Sequence, residues 1–287
     1  MVTSINPIVK THTCFLCGGE KFTCFYTRKG GPYNYNQCVS CGLFISSLAE
    51  QSDKRHGQLK SYVEDPVIHD NSTDRSDYSV QRHAVYKKEL RALGAYRKLN
   101  HLLDIGFGSG DFLLAAKNMQ WRVMGTEISS CHVLAARQKG LKVYLGNVTE
   151  ADMEQESFDV VRMHNVIEHL KDPCGFVHLA NKLLRHGGLL LLSTLNTDSY
   201  TASFQKDNWK YLDPRYHVHL FNISNLSLLL KKTGFKGKRL RTRGIQSNNQ
   251  ESLRGYVLDN LLNVPAKLLH KGHRMYLEFE KVNSHKL

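Results

Sequence analysis

No run in the chain approaches the ~20 apolar residues a membrane-spanning helix needs, so a transmembrane helix is excluded. The first residues, MVTSINPIVKTHTC, lack the apolar core of a secretory signal. A cytoplasmic location is therefore expected, where thiols stay reduced. No internal repeat or low-complexity tract appears. Acidic residues are scarce beside basic ones, 26 against 39, for a formal charge of +13. What remains, 41% hydrophobic and 23% charged residues, describes an ordinary globular protein. A length of 287 residues allows one sizeable core, with roughly 80–100 residues left for an accessory module.

Seven cysteines in a reducing compartment point to metal binding rather than disulfides. Four of them are ordered: Cys14-x2-Cys17, twenty residues, then Cys38-x2-Cys41, each pair followed by glycine, Gly18 and Gly42. Two tight turns can present four thiolates tetrahedrally, and the spacing is that of a structural zinc module over residues 1–46. With all four positions filled by cysteine, the metal would stabilise and not catalyse. The residues between the pairs read as a hairpin turning at Gly30-Gly31-Pro32, with Cys24 a buried or spare thiol.

The densest information lies in LLDIGFGSGDFLLAAKNMQWRVMGTE, residues 102–127. It reads as strand, tight turn with Gly106, Gly108 and Gly110, amphipathic helix, and a second strand closing on Glu127. In an open parallel sheet this is where an adenosine-bearing cofactor sits, and the distal acid can accept both ribose hydroxyls. A dinucleotide fingerprint would put its third glycine at 111, which is Asp. Asp104 and Asp111 crowd a spot where pyrophosphate needs positive potential. A cofactor carrying ammonium and sulfonium groups, S-adenosylmethionine, suits them better.

Around this core, residues 47–80 are polar and weakly periodic and read as a linker or lid. A helix is expected over 81–99, and another from Ser129 or Ser130 to Gly140. LKVYLGNV and FDVVRMH (158–164) supply strands, 174–186 a helix, and LLLLSTLN the next strand. Residues 224–235 form a helix, and 236–243 with 274–282 two closing strands.

D-x-G-x-G-x-G at 104–110, Glu127, FDVVRMHNVIEHLKDP at 158–173 and HGGLLLLSTLN at 186–196 resemble class I S-adenosylmethionine-dependent methyltransferases. YHVHLFNISNLSLLLKKTGF, 216–235, is similar to the bacterial small-molecule and glycan branch related to ubiquinone-biosynthesis O-methyltransferases. The resemblance implies an α/β, Rossmann-like sheet of seven strands, parallel apart from one, over residues 81–287. Acceptor-site insertions would lie near 196–221 and 246–273. Gly106, Gly108 and Gly110 would line the methionine portion with Asp104 beneath the turn, and Glu127 would bind the ribose. Asn147 would meet the adenine amine, and Met163 and His164 would face the reacting methyl.

Transfer to a hydroxyl needs a base, and histidine suits neutral pH. His217 and His219 flank Val218 and share a face of an extended segment. The family places a histidine on the substrate side at His219, with His164 and His169 the alternatives. Some relatives hold a divalent ion through E-x-x-E-H; here the segment is Asn165-x-x-Glu168-His169, and a second, catalytic metal is left open. Trp209, Tyr211 and Tyr216 would stack on an acceptor ring.

The function these readings imply is methylation of a hydroxyl, or secondarily a carbon, of a sugar, glycan or lipid-linked intermediate. The charge leaves other partners open. From Lys231 onward, 13 Lys/Arg face 4 Asp/Glu. An RNA substrate is one reading, contact of the amphipathic 257–271 segment with an anionic membrane another. A non-catalytic scaffold that only binds the cofactor is the third.

Overall fold

The computed structural model describes residues 8–9, 13–26, 33–47, 75–245 and 253–282. Its centre is a seven-stranded sheet in the order β11-β12-β9-β8-β5-β6-β7. The parallel strands are β5 (His101–Ile105), β6 (Arg122–Glu127), β7 (Val143–Leu145), β8 (Phe158–His164) and β9 (Leu184–Leu195). β12 (Arg274–Lys281) runs antiparallel to both β9 and β11 (Phe235–Arg243). This is the expected α/β sheet with one reversed strand.

The inner strands are apolar on both faces because helices cover both. Alternate residues of each strand enter opposite cores. Leu102, Val160, Leu189 and Leu191 pack beneath α1 (Arg75–Ala92), α2 (Asp111–Asn118) and α3 (Ser130–Gln138). Leu103, Val161, Met163, Leu190 and Leu192 pack beneath α4 (Pro173–Leu183) and, later in the chain, α6 (Ile223–Lys232). Caps set the helix starts: Asp172 accepts from Gly175 N at 2.8 Å, and Asn222 and Asn225 form a reciprocal box at 2.8 and 3.0 Å.

Two boundaries differ from expectation. α1 begins at Arg75, inside the segment read as linker; the earlier part of that segment, 48–74, lies outside the described residues. β9 begins at Leu184, where a helix to 186 was expected. Leu184 pairs with Phe158, and Arg185 Nε donates to Asp159 Oδ1 at 2.6 Å, so a tertiary ion pair overrides the helical periodicity.

A second sheet is wholly antiparallel, in the order β1-β2-β3-β4-β10. β1 (Ile8–Val9), β2 (Phe22–Tyr26), β3 (Asn34–Cys38) and β4 (Phe44–Ser46) come from the N-terminal module. The β2–β3 hairpin is the expected one, though its Gly30-Gly31-Pro32 turn lies outside the described residues. The fifth strand, β10 (His219–Leu220), belongs to the segment after β9. Cys14, Leu16, Phe22 and Leu43 join the core beneath α6. The module is therefore fused to the large domain through backbone pairing and a shared core. Two further helices, α5 (Tyr200–Gln205) and α7 (Leu253–Leu268), flank the end of the large sheet; of the insertion expected near 246–273, residues 246–252 lie outside the described residues. No helix among the described residues is long and apolar enough to cross a membrane.

Candidate active site and cysteine cluster

The turn after β5 is the bed of the site. Gly106 has φ +68°, and a Cβ there would meet Val166 Cγ2 at 2.6 Å, so backbone must lie where a side chain would stand. Gly108, at φ +57°, faces open space: a Cβ would meet nothing within 4 Å. Glu127 leaves the end of β6 and reaches back across this turn. Its Oε2 accepts from Gly108 N at 2.9 Å, and its Oε1 from Ile128 N at 2.9 Å and Ser129 N at 3.0 Å. Three amides hold the carboxylate in place, and Oε2, which accepts only one of them, retains acceptor capacity for a ribose hydroxyl. An open glycine bed with a fixed acid beside it fits an adenosyl cofactor.

Asp104 lies under the turn, fully buried, and Arg162 Nη1 donates to both of its oxygens at 3.0 Å. Burial pushes the Asp104 pKa up to about 6, even with Arg162 beside it. Arg162 in turn stacks over Phe112, its Cζ 4.2 Å from the ring centroid. Asp111 is matched by Lys139 at 3.3 Å and Arg82 at 3.9 Å. Both carboxylates are thus neutralised by their own neighbours. Asp104 lies beneath the turn, where the resemblance puts it, and props it as a strut; sequence alone missed Arg162, 58 residues away, as its partner.

Asn147 caps the short helical turn Val148–Glu150, its Oδ1 accepting from Thr149 N at 3.3 Å. Gly146 N donates to Glu127 O at 2.9 Å, which ties the turn at Asn147 to the acid that closes β6. The Met163 side chain is buried in the core, leaving only its backbone for the site.

His164 ends β8. In register it stands beside Ser193 of β9, which pairs onward with Tyr276 of β12. Its Nδ1 lies 2.5 Å from Ser193 Oγ, and its ring is 6.1 Å from that of Tyr276. Burial, with Arg162, Arg274 and Arg82 nearby, pushes its pKa well below the ordinary value.

The next turn departs from regular backbone, with Asn165 at φ +53°. Asn165 Oδ1 and Glu168 Oε2 are buried without a hydrogen-bond partner, and burial raises the Glu168 pKa. His169 Nδ1 donates to Tyr216 O at 2.8 Å, and its ring lies 5.1 Å from that of His217. His217 Nδ1 donates to Tyr211 O at 2.7 Å, and burial lowers its pKa to about 3. Tyr211 lies parallel to His273 with centroids 6.3 Å apart. His217, His273 and Tyr276 thus join the expected residues; His217 had been noticed only as the partner of His219, and the other two carried no motif.

His219 is sealed into β10. Its Nδ1 donates to Leu170 O at 2.9 Å, Phe15 of the first cysteine turn meets it edge-on at 5.3 Å, and burial lowers its pKa to about 4. Trp209 is 2% exposed and packs with Tyr35, Phe44, Leu195 and Leu220, so its expected role against an acceptor ring gives way to core packing. Glu168 and His169 do not converge with a third ligand. Among the described residues, only the cysteines form a group able to hold a metal ion.

That group brings the Sγ atoms of Cys14, Cys17, Cys38 and Cys41 within 4.8 Å of one another. Cys14 and Cys41 are 3.8 Å apart, and Cys17 and Cys38 3.5 Å. Four sulfurs at ~2.3 Å around one ion would stand about 3.8 Å apart, so the residues fit a tetrahedral metal. Gly19 N donates to Cys17 Sγ at 3.4 Å. Cys24 is buried outside the cluster, where it accepts from Asn34 Nδ2 at 2.6 Å.

The glycine bed, the acid closing β6 and the reversed strand define a class I S-adenosylmethionine-dependent methyltransferase. Residues 78–239, more than half of the chain, match the family model described as a methyltransferase domain, and the chain belongs to that family. It is 32% identical over 159 residues to a ubiquinone biosynthesis O-methyltransferase of Cereibacter sphaeroides. That match covers 53% of this chain and 62% of the relative, so the chain spans less than two thirds of the relative's length. An uncharacterised protein of Methanocaldococcus jannaschii is 24% identical over 152 residues, 53% of this chain and 72% of that protein. The crystal structure of a SAM-dependent methyltransferase from Archaeoglobus fulgidus shares the fold, with TM-score 0.52 and 18% identity over 69% of this chain and 94% of its own.

Proposed function

We propose that the protein transfers a methyl group to a hydroxyl of a sugar, glycan or lipid-linked small molecule. The observation that carries this reading is the group of imidazoles just beyond the carboxyl end of β8, beside the glycine bed. S-adenosylmethionine supplies the electrophilic methyl when bound. Gly106, Gly108 and Gly110 would seat it, Glu127 would hold its ribose, and Asn147 would stand at the adenine edge. Methyl transfer from a sulfonium is an in-line displacement, so the chain's remaining tasks are alignment and removal of one proton.

We assign the proton to His169. Its Nδ1–H is engaged by the Tyr216 carbonyl, which leaves the lone pair on Nε2 in the neutral ring. Unlike His219, it is only partly buried. His164, held by Ser193, would flank the methyl, and His219 would brace the acceptor wall from behind. The name of the Cereibacter relative supports a small-molecule hydroxyl as acceptor.

The cysteine cluster we assign to structural zinc, since four thiolates leave no open coordination position. We place the protein in the cytoplasm, where thiols stay reduced and four of them can hold a metal ion. The test of the activity is incubation with methyl-labelled S-adenosylmethionine and a panel of nucleotide-sugars and polyprenol-linked glycans, read by mass spectrometry. Gain of one methyl on a hydroxyl, lost in His169→Gln, supports the reading. Label entering RNA instead would overturn it.

A further inference from the structure

Among the described residues, five of the six most exposed large apolar side chains are concentrated in one region, the sixth being Leu134 on α3. Phe204 on α5 is 66% exposed, and Leu261, Val264, Leu268 and Leu269 are 68, 61, 76 and 60% exposed. Leu261, Val264 and Leu268 recur at i, i+3 and i+7 along α7 and therefore share one face. The opposite side of the helix is anchored. Ala266 is buried, and its carbonyl accepts from Thr242 Oγ1 at 3.3 Å on β11. The stripe is thus turned away from the core by the packing of the helix itself.

The end of α7 is stitched to the segment that carries α5. Lys271 O accepts from Tyr200 N at 2.9 Å, and Asn196 Nδ2 donates to His270 O and Gly272 O at 3.2 and 3.1 Å. Phe204 stacks on Tyr200 with centroids 6.1 Å apart. The flank that follows the stripe is basic, while the segment that carries α5 holds Asp198 and Asp207. No acid occurs from Leu261 to Leu277, a stretch that holds Lys267, Lys271 and Arg274. Beyond it, β11 forms the sheet edge with Lys236 and Arg239 exposed.

We propose that this region is a docking surface for an anionic lipid bilayer. The α7 stripe and Phe204 enter the boundary between headgroups and acyl chains, and the flanking cations meet the headgroups. The pairing of features selects the occupant. A nucleic acid would use the cations and leave the aliphatic stripe wet. A second copy would set one strongly basic face against another. The surface stands on these residues alone, and it holds whether or not the methyl acceptor is lipid-linked.

The intact protein is sedimented with vesicles of phosphatidylcholine, and with vesicles that also contain phosphatidylglycerol. Retention on the anionic vesicles only, weakening as salt is raised, is the expected result. Leu261→Ser combined with Leu268→Ser lowers that retention by about tenfold or more, because two leucines no longer enter the bilayer. Calorimetry with S-adenosylhomocysteine reports separately on the fold and the cofactor site, and it should be unchanged. Leu268→Trp adds an independent reading: its fluorescence shifts to the blue on anionic vesicles. No retention on anionic vesicles, retention indifferent to the leucine pair, or a tryptophan that stays in water overturns the proposal. So does a stripe variant that dissociates an oligomer in light scattering.

Discussion

Asp104 and Arg162 show how a single pair can govern the turn above it. They stand in register on β5 and β8, both buried and 3.0 Å apart. Removing one partner strands the other, so Arg162→Met should cost about 3–5 kcal/mol of stability. Adding Asp104→Asn should recover part of that loss. Denaturant unfolding of the single and double variants checks this, and a single variant as mild as a surface substitution would contradict it. On the proposed assignment, proton removal at the same scale falls to His169. His169→Gln should reduce turnover roughly 10²–10⁴-fold, with cofactor affinity unchanged. His219→Gln should lower stability more than turnover, since its ring braces Leu170 and Phe15.

The difference between these residues was not legible in the sequence. The glycine turn was, because its function is local: three glycines within five residues and an acid closing the next strand. His219 matched a motif, but a motif carries no burial, and the carbonyl of Leu170 and the ring of Phe15 come from distant segments. Arg162 carried no local signal at all.

At the scale of elements, the apolar runs identified the large sheet, while β10 went unseen. Two residues have no periodicity, yet they join the cysteine module to the catalytic domain. The joint is reinforced by Tyr35 Oη donating to His217 O at 2.6 Å, Ser46 Oγ to Pro214 O at 2.7 Å, and Lys232 Nζ to Leu16 O at 2.7 Å. The module therefore holds in place the backbone that carries His217 and the carbonyl of Tyr216. Cys14→Ser should lose the metal and raise hydrogen exchange in residues 211–222, while S-adenosylhomocysteine affinity stays within about twofold. Exchange confined to residues 13–47 would mean that the wall stands without the module. Metal analysis should find about one zinc per chain in the wild type.

For the whole molecule, buried imidazoles set the response to acid. His217 and His219 titrate near 3 and 4 when folded, against an ordinary 6.5. Between pH 6.5 and 4 the unfolded chain thus binds up to two more protons at these two sites than the native protein, His164 adds to the difference, and Asp104, raised to about 6, offsets part of it. Stability is full above pH 6.5 and falls on acidification by about 1.4 kcal/mol per pH unit for each proton. Below pH 4 the His219 contribution is spent, while His217 continues the loss down to about 3. Urea unfolding across this range should show the slope, and His217→Phe should lessen it; a slope unchanged in the variant would contradict the burial of that ring.

The fold, the turn and Glu127 converge on one claim, that the glycine bed holds S-adenosylmethionine by its ribose. Titration calorimetry of S-adenosylhomocysteine against the wild type and Glu127→Ala tests it most directly. Each charge-assisted hydrogen bond contributes roughly 1.5–3 kcal/mol, so the account predicts saturable binding by the wild type and at least a tenfold loss in the variant. Equal affinity in both proteins, or preferential binding of NADH by the wild type, would contradict it.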